Sequence, residues 1–215
     1  MPDLRIKAVL NHVNCHTLAD IGCDHGKLSA SALIMNKAEK VIATDISKPS
    51  LDKAKRLFEH LNLKGDFRLG DGLRVLNSGE ADTVVIAGLG GKIIAEILDD
   101  AFNEGKTFSK YVLCVNSQSE KVRETLNRHR KNIESDGYIF CARKRYTLIC
   151  ASDEEADKEL DAFQIRFGKF YKRDKTAAAV IQKELERFEK LNPKAEPVLK
   201  EIKFLKEALK NAQGL

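Results

Sequence analysis

Four strand-like runs in the first half of this chain end in glycine, in aspartate or in both. TLADI (Thr17–Ile21) stops at GCDHG, KVIATD (Lys40–Asp45) at its own aspartate, DFRL (Asp66–Leu69) at GDG, and ADTVVIA (Ala81–Ala87) at GLGG. Helical patterns separate most of them, including SKPSLDKAKRLFEHLN after Asp45. Strands that alternate with helices form a mostly parallel sheet covered on both faces, and such a sheet binds ligands beyond the carboxyl ends of its strands. The glycines and acids therefore mark one edge of one α/β sheet.

The remaining pattern completes the sheet. A helix is expected over 4–13, another to about Met35, and others over 92–98 and 120–131. Strands are expected over 111–115, 133–141 and 146–151, the last two as an antiparallel hairpin. After Ser152 no strand pattern remains. Val180, Ile181, Leu185, Phe188 and Leu191, then Val198, Ile202, Leu205 and Leu209 after NPKAEP, recur at helical spacing. This predicts two antiparallel helices joined at Pro193 and Pro197 and packed like a short coiled coil. The expected division is a ligand-binding domain at 1–152 and a helical hairpin at 153–215.

With 43% hydrophobic residues in 215, the chain can bury a sizeable core. It has no apolar run near the ~18 residues of a membrane span and no signal-peptide layout, so a cytoplasmic monomer with no membrane partner is expected. Five scattered cysteines without a C-x-x-C pair indicate buried thiols rather than a metal site or disulfides. The net charge of +5 is concentrated: Lys121, Arg123, Arg128, Arg130, Lys131, Arg143, Lys144 and Arg145 face only Glu124, Glu134 and Asp136 in the same window. A solvated face and a nucleic-acid surface both fit that cluster.

Which ligand suits the edge follows from charge. A dinucleotide fingerprint G-x-G-x-x-G has glycine where this chain has Asp24, whose carboxylate would repel a pyrophosphate. GLGGK lacks the spacing of a phosphate loop. Acids suit a cation, and S-adenosylmethionine carries a sulfonium and an ammonium but no phosphate. Asp20 and Asp24 would lie near its methionine end, Asp45 at its ribose and Asp71 and Gly72 at its adenine; Gly22 and His25 complete the donor site, and Ala87 and Gly88 would allow close backbone approach. Two plainer roles stay open, Asp24 as a helix cap and Asp71 as a turn residue.

The chain resembles the bacterial tRNA (adenine-22-N1)-methyltransferases over nearly its whole length. LADIGCDHGKL is similar to that family's D-[IV]-G-S-D-H-A-Y-L, VIAGLGGKII to its I-A-G-M-G-G, QIRFGKFY to its R-F-G-P-F-L and VRETL to its L-R-x-W-L, and Arg5 stands where the family usually has arginine. Cys23, Gly26 and Lys27 replace Ser, Ala and Tyr, Asp45 stands where many members have Glu, CVNS replaces a segment expected to begin Q-P-N, and Lys169 replaces a proline. The resemblance implies a Rossmann-like class I methyltransferase sheet followed by a coiled-coil domain, S-adenosylmethionine as methyl donor, and N1 of adenine 22 in tRNA as acceptor. On that reading Arg5, Lys27, Asn116, Lys169, Lys172 and Arg173 face the RNA, and Asp24 is the candidate to stabilise the product cation or take its proton. A small-molecule methyltransferase and a non-catalytic RNA-binding protein are the alternatives. Phe163, Phe167 and Phe170, at helical spacing, read as core rather than a stacking platform.

Overall fold

Alternating burial along the central strands builds the sheet. Val84 and Ile86 face one side and Val85 the other; Leu113 and Val115 face one side and Val112 and Cys114 the other. The computed structural model describes residues 4–172, 174–191 and 195–214. In chain order the elements are α1 (Leu4–Leu10), β1 (Cys15–Ile21), α2 (Lys27–Ile34), β2 (Ala38–Asp45), α3 (Lys48–His60), β3 (Asp66–Leu69), β4 (Thr83–Leu89), α4 (Gly91–Asn103), β5 (Lys110–Val115), α5 (Ser119–Arg128), β6 (Lys131–Cys141), β7 (Lys144–Glu155), α6 (Ala162–Phe167), α7 (Lys175–Glu189) and α8 (Glu196–Gln213).

The strands form one seven-stranded sheet in the order β3-β2-β1-β4-β5-β7-β6. β1 to β5 run parallel, and β7 is antiparallel to β5 and β6. On one face α4 and α5 contribute Ile94, Leu98, Val122 and Leu126; on the other α1, α2 and α3 contribute Val9, Leu10, Leu28 and Phe58. The strand order reverses between β1 and β4, where a doubly wound sheet opens its ligand crevice.

Several boundaries differ from the sequence expectation. The first helix stops at Leu10 rather than Val13. α5 stops at Arg128 rather than Lys131, because Arg130 is left-handed (φ 53°) and Lys131 already pairs in the sheet. β7 runs to Glu155, past Ser152. The β6–β7 hairpin closes through Ala142 and Arg143, both left-handed (φ 49° and 62°), as a two-residue type I′ turn demands.

α7 and α8 pack through Ile181 and Leu185 against Leu205, Ala208 and Ala212, with Phe167 and Tyr171 in the same cluster. Leu191, expected in the stripe, is exposed, and Pro193 lies outside the described residues. A buried ion pair joins this cluster to the sheet. Arg123 donates to both oxygens of Asp136 (2.7 and 2.9 Å), and its remaining nitrogen donates to the carbonyls of Ile165 and Arg166 at the end of α6. Asp136 also accepts the Lys169 N–H at 2.9 Å, and Tyr138 donates to the Phe167 carbonyl at 3.0 Å.

Candidate active site

Register brings the strand ends level. Ile21 pairs with both Thr44 and Ile86, and Asp45 pairs with Leu69, so the segments after β1, β2, β3 and β4 emerge together. After β1 the N–H groups of Gly22 and Cys23 both donate to the Thr44 carbonyl at 2.9 Å. Three left-handed residues then reverse the chain: Gly22 (φ 72°), Asp24 (φ 49°) and Gly26 (φ 68°). Gly26 is doubly required, since a Cβ there would press on Ala54. A left-handed aspartate is backbone strain of the kind stored at functional sites. Asp24 does not cap α2, whose N-cap is Gly26 without a side-chain bond, so the capping role falls away.

Asp45 is held by two backbone donors. Its oxygens accept from Asp24 N–H at 2.9 Å and Ser47 N–H at 2.8 Å. After β3 the segment bearing Asp71 is fastened by Arg68, which donates to Asp66, to Glu80 and to the Val75 carbonyl. Those hydrogen bonds from Arg68 hold the Glu80 carboxyl down to about 2. After β4, Gly91 N–H donates to Ser117 O at 2.7 Å, a Cβ on Gly91 would overlap the Gln118 carbonyl, and Asn116 Nδ2 donates to Gly88 O at 2.6 Å.

These segments enclose a cavity of 580 Å³. Asp24, Asp45 and Asp71 stand on its wall with Gly22, Gly72, Ala87, Gly88 and Arg5. A smaller lobe of 170 Å³ adjoins it through Arg5, Gly22, Asp24 and Ala87, and holds Asp20, His25 and Lys27. Asp20 is therefore set back from the main chamber. It is buried and accepts from Ser29 Oγ at 2.6 Å; burial raises its pKa to about 6 against the opposing pull of that hydrogen bond. His25 Nε2 lies 3.1 Å from Lys53 Nζ and 3.5 Å from Asp24 Oδ1.

The sequence reading missed the apolar wall. Ile46 and Ile93 are 74% and 50% exposed, and with Leu89 and Ile97 they line the main chamber. An isoleucine directly after a strand-terminal carboxylate was the available signal. The chamber thus pairs an apolar slot with three carboxylates and with glycines whose positive φ brings backbone close. That donor set fits S-adenosylmethionine, which has an apolar-faced purine, ribose hydroxyls and cationic groups.

Comparison with known proteins agrees with this geometry. The family described as "Methyltransferase domain" matches residues 3–149. The tRNA (adenine(22)-N(1))-methyltransferase of Bacillus subtilis (strain 168) is 32% identical over 167 residues, covering 76% of this chain and 70% of that protein. The chain belongs to this methyltransferase family. A crystal structure of the B. subtilis tRNA methyltransferase TrmK superposes with a TM-score of 0.80 at 25% identity, covering 100% of this chain and 98% of that one. M. capricolum TrmK, solved with S-adenosyl-homocysteine, shares the fold, with a TM-score of 0.84 at 24% identity over 99% of this chain and 98% of that one.

Against the family reading, the expected RNA-facing residues divide. Arg5 lines the chamber itself, over the Tyr146 ring at 5.6 Å. Lys27 is exposed at the small lobe, and Asn116 and Lys172 are exposed. Lys169 is not available to a phosphate: its ammonium donates to Asn132 Oδ1 (3.0 Å) and the Ile133 carbonyl (2.7 Å). Arg173 lies outside the described residues. Phe163 and Phe167 are core, but α6 ends at Phe167 and Phe170 is 47% exposed. Among the described residues no helix is long and apolar enough to cross a membrane, and no cluster of three His, Cys, Asp or Glu could hold a metal ion.

Proposed function

We propose that this protein methylates N1 of adenine 22 in tRNA, using S-adenosylmethionine. The observation that carries the reading is the chamber with three carboxylates at successive strand ends and no phosphate-binding loop, in a chain of this family. When bound, S-adenosylmethionine supplies an electrophilic methyl group on a sulfonium. Asp45, its oxygens already oriented by two N–H groups, accepts from the ribose hydroxyls. Ile46, Ile93 and Ile97 exclude water from the faces of the donor's purine, and Asp71 accepts from its exocyclic amine.

Adenine N1 attacks through its own lone pair, so no base is needed before methyl transfer and alignment does most of the work. Asn116 donates one amide N–H to Gly88 O, which fixes the amide's orientation and presents Oδ1 to accept from the target base's amine. Asp24 stands between the two lobes and offsets the positive charge of the methylated base until its proton leaves. N1 lies on the pairing edge, so the target must be unpaired when it reacts. The test is incubation with labelled donor and unmodified tRNA, then nucleoside digestion. N1-methyladenosine that disappears when adenine 22 is changed to guanine supports the reading. Label in small molecules only, or tRNA binding without methylation, would replace it with one of the two alternatives.

A further inference from the structure

The basic cluster at 121–145 is not one surface. Five of its eight cations are matched by carboxylates: Lys121 by Glu124, Arg123 by Asp136, Arg128 by Asp99, Arg130 by Glu155 and Lys131 by Asp153. The three left, Arg143, Lys144 and Arg145, are exposed, and among the described residues none has a carboxylate partner. All three sit at the β6–β7 turn.

Register decides where that turn lies. β7 is antiparallel to β5, and their last pair at this end is Val115 with Thr147. Residues 144–146, paired with 139–141, therefore continue past the carboxyl edge of the sheet by three residues, roughly 10 Å. This is the edge that bears the chamber. Phe140 and Arg145 are directly opposed across the hairpin and so share a face, the one that also carries Tyr138 and Thr147. Phe140 is 60% exposed, and Arg145 lies over the Tyr138 ring at 5.3 Å. Below them is a second cavity of 390 Å³, lined by Arg145, Tyr138 and Thr147 together with Asn116 and Ser117 of the catalytic edge.

We propose that the β6–β7 hairpin is an RNA-contacting prong: Arg143 and Lys144 hold backbone phosphates, and Phe140 with Arg145 stacks an unpaired base beside the target nucleotide. The inference rests on the tRNA reading above. Unpaired guanidinium and ammonium groups next to an exposed aromatic ring are the combination that binds unstacked RNA, the cations tracking phosphates and the ring accepting a base of any identity. The cavity running from Arg145 to Asn116 leads from the prong to the methyl-transfer edge. The type I′ turn matches the twist of its strands, so β6 and β7 stay paired out to Cys141 and Lys144 at the tip of the prong.

The test uses the full chain and one unmodified tRNA, with binding measured as a function of salt and donor affinity measured by calorimetry. The R143Q/K144Q variant is expected to bind tRNA roughly 10-fold more weakly and to lower the log–log salt slope by about 1.4–1.8, the value for two phosphate contacts. The Phe140→Ala variant is expected to weaken binding with the slope unchanged, and Phe140→Tyr to restore it. Donor affinity and melting temperature stay at wild-type values in all three, because the turn packs on neither the chamber nor the core. K40Q/K64Q, on exposed residues toward the amino ends of β2 and β3, is the charge-matched control and leaves the slope alone. Wild-type tRNA affinity and slope in R143Q/K144Q would overturn the prong while leaving the family reading intact. Failure of the wild-type protein itself to bind tRNA would overturn both.

Discussion

The Asp24 N–H donates to the Asp45 carboxylate at 2.9 Å, fastening the strained turn after β1 to the end of β2. The same carboxylate accepts from Ser47 N–H, so its orientation is set before any ligand arrives. One side chain thus shapes two walls of the chamber.

Asp45→Ala should therefore cost more than a ribose contact. Losing charge-assisted hydrogen bonds is worth roughly 1.5–3 kcal/mol, about 10- to 150-fold in donor affinity. Asp45→Asn, which keeps one accepting oxygen, should fall between the wild type and Asp45→Ala. Calorimetric titration of the folded variants checks this, and an Asp45→Ala protein with wild-type affinity would remove Asp45 from the donor site.

Asp20 gives a stability that depends on pH. Its pKa is raised from 3.8 to about 6 by burial, so between those values the folded state holds a proton that the unfolded chain has released. The stabilisation is fully present below pH ~3.8 and is lost as pH rises through about 6, amounting to about 3 kcal/mol. Urea unfolding at pH 4 and pH 7.5 should show this loss in the wild type relative to D20N, which cannot ionise. Parallel pH profiles for the two proteins would contradict it.

The side chains of Arg123 and Asp136 are both fully buried, so removing one partner strands the other's charge. Arg123→Met is expected to cost about 3–5 kcal/mol, and the R123M/D136L double variant to recover part of it. Thermal melts should place the single variant roughly 6–20 °C below the wild type. A double variant no better than R123M would mean that the backbone contacts of Arg123 to Ile165 and Arg166, rather than the ion pair, hold this seam.

The acids at the catalytic edge were legible because each terminates an apolar run: strand ends are fixed by local pattern, and the sheet aligns them. The charge cluster was not legible, because Asp99, Asp153 and Glu155 reach Arg128, Lys131 and Arg130 from outside the window, through tertiary contacts that spacing does not encode. Lys169 misled for the same reason, its ammonium being drawn inward by Asn132 and Ile133 on β6. Phe170 followed the helical period on paper, but α6 stops at Gly168, whose φ of 118° only glycine adopts readily, so the ring turns outward. The isoleucine wall was hidden by a different effect. Ile46 reads as an ordinary apolar residue until the fold leaves it exposed over the chamber.

The contact of Gly91 with the Gln118 carbonyl bears on how such a chain can diverge. With no room for even a methyl group between them, the segments after β4 and β5 behave as one inherited part, and a change in either must be answered in the other. The β6–β7 turn carries no such constraint, since Phe140 and residues 142–145 are all exposed. Drift in acceptor preference would then accumulate at Phe140, Arg143, Lys144 and Arg145, while the welded segments keep the methyl-transfer geometry unchanged.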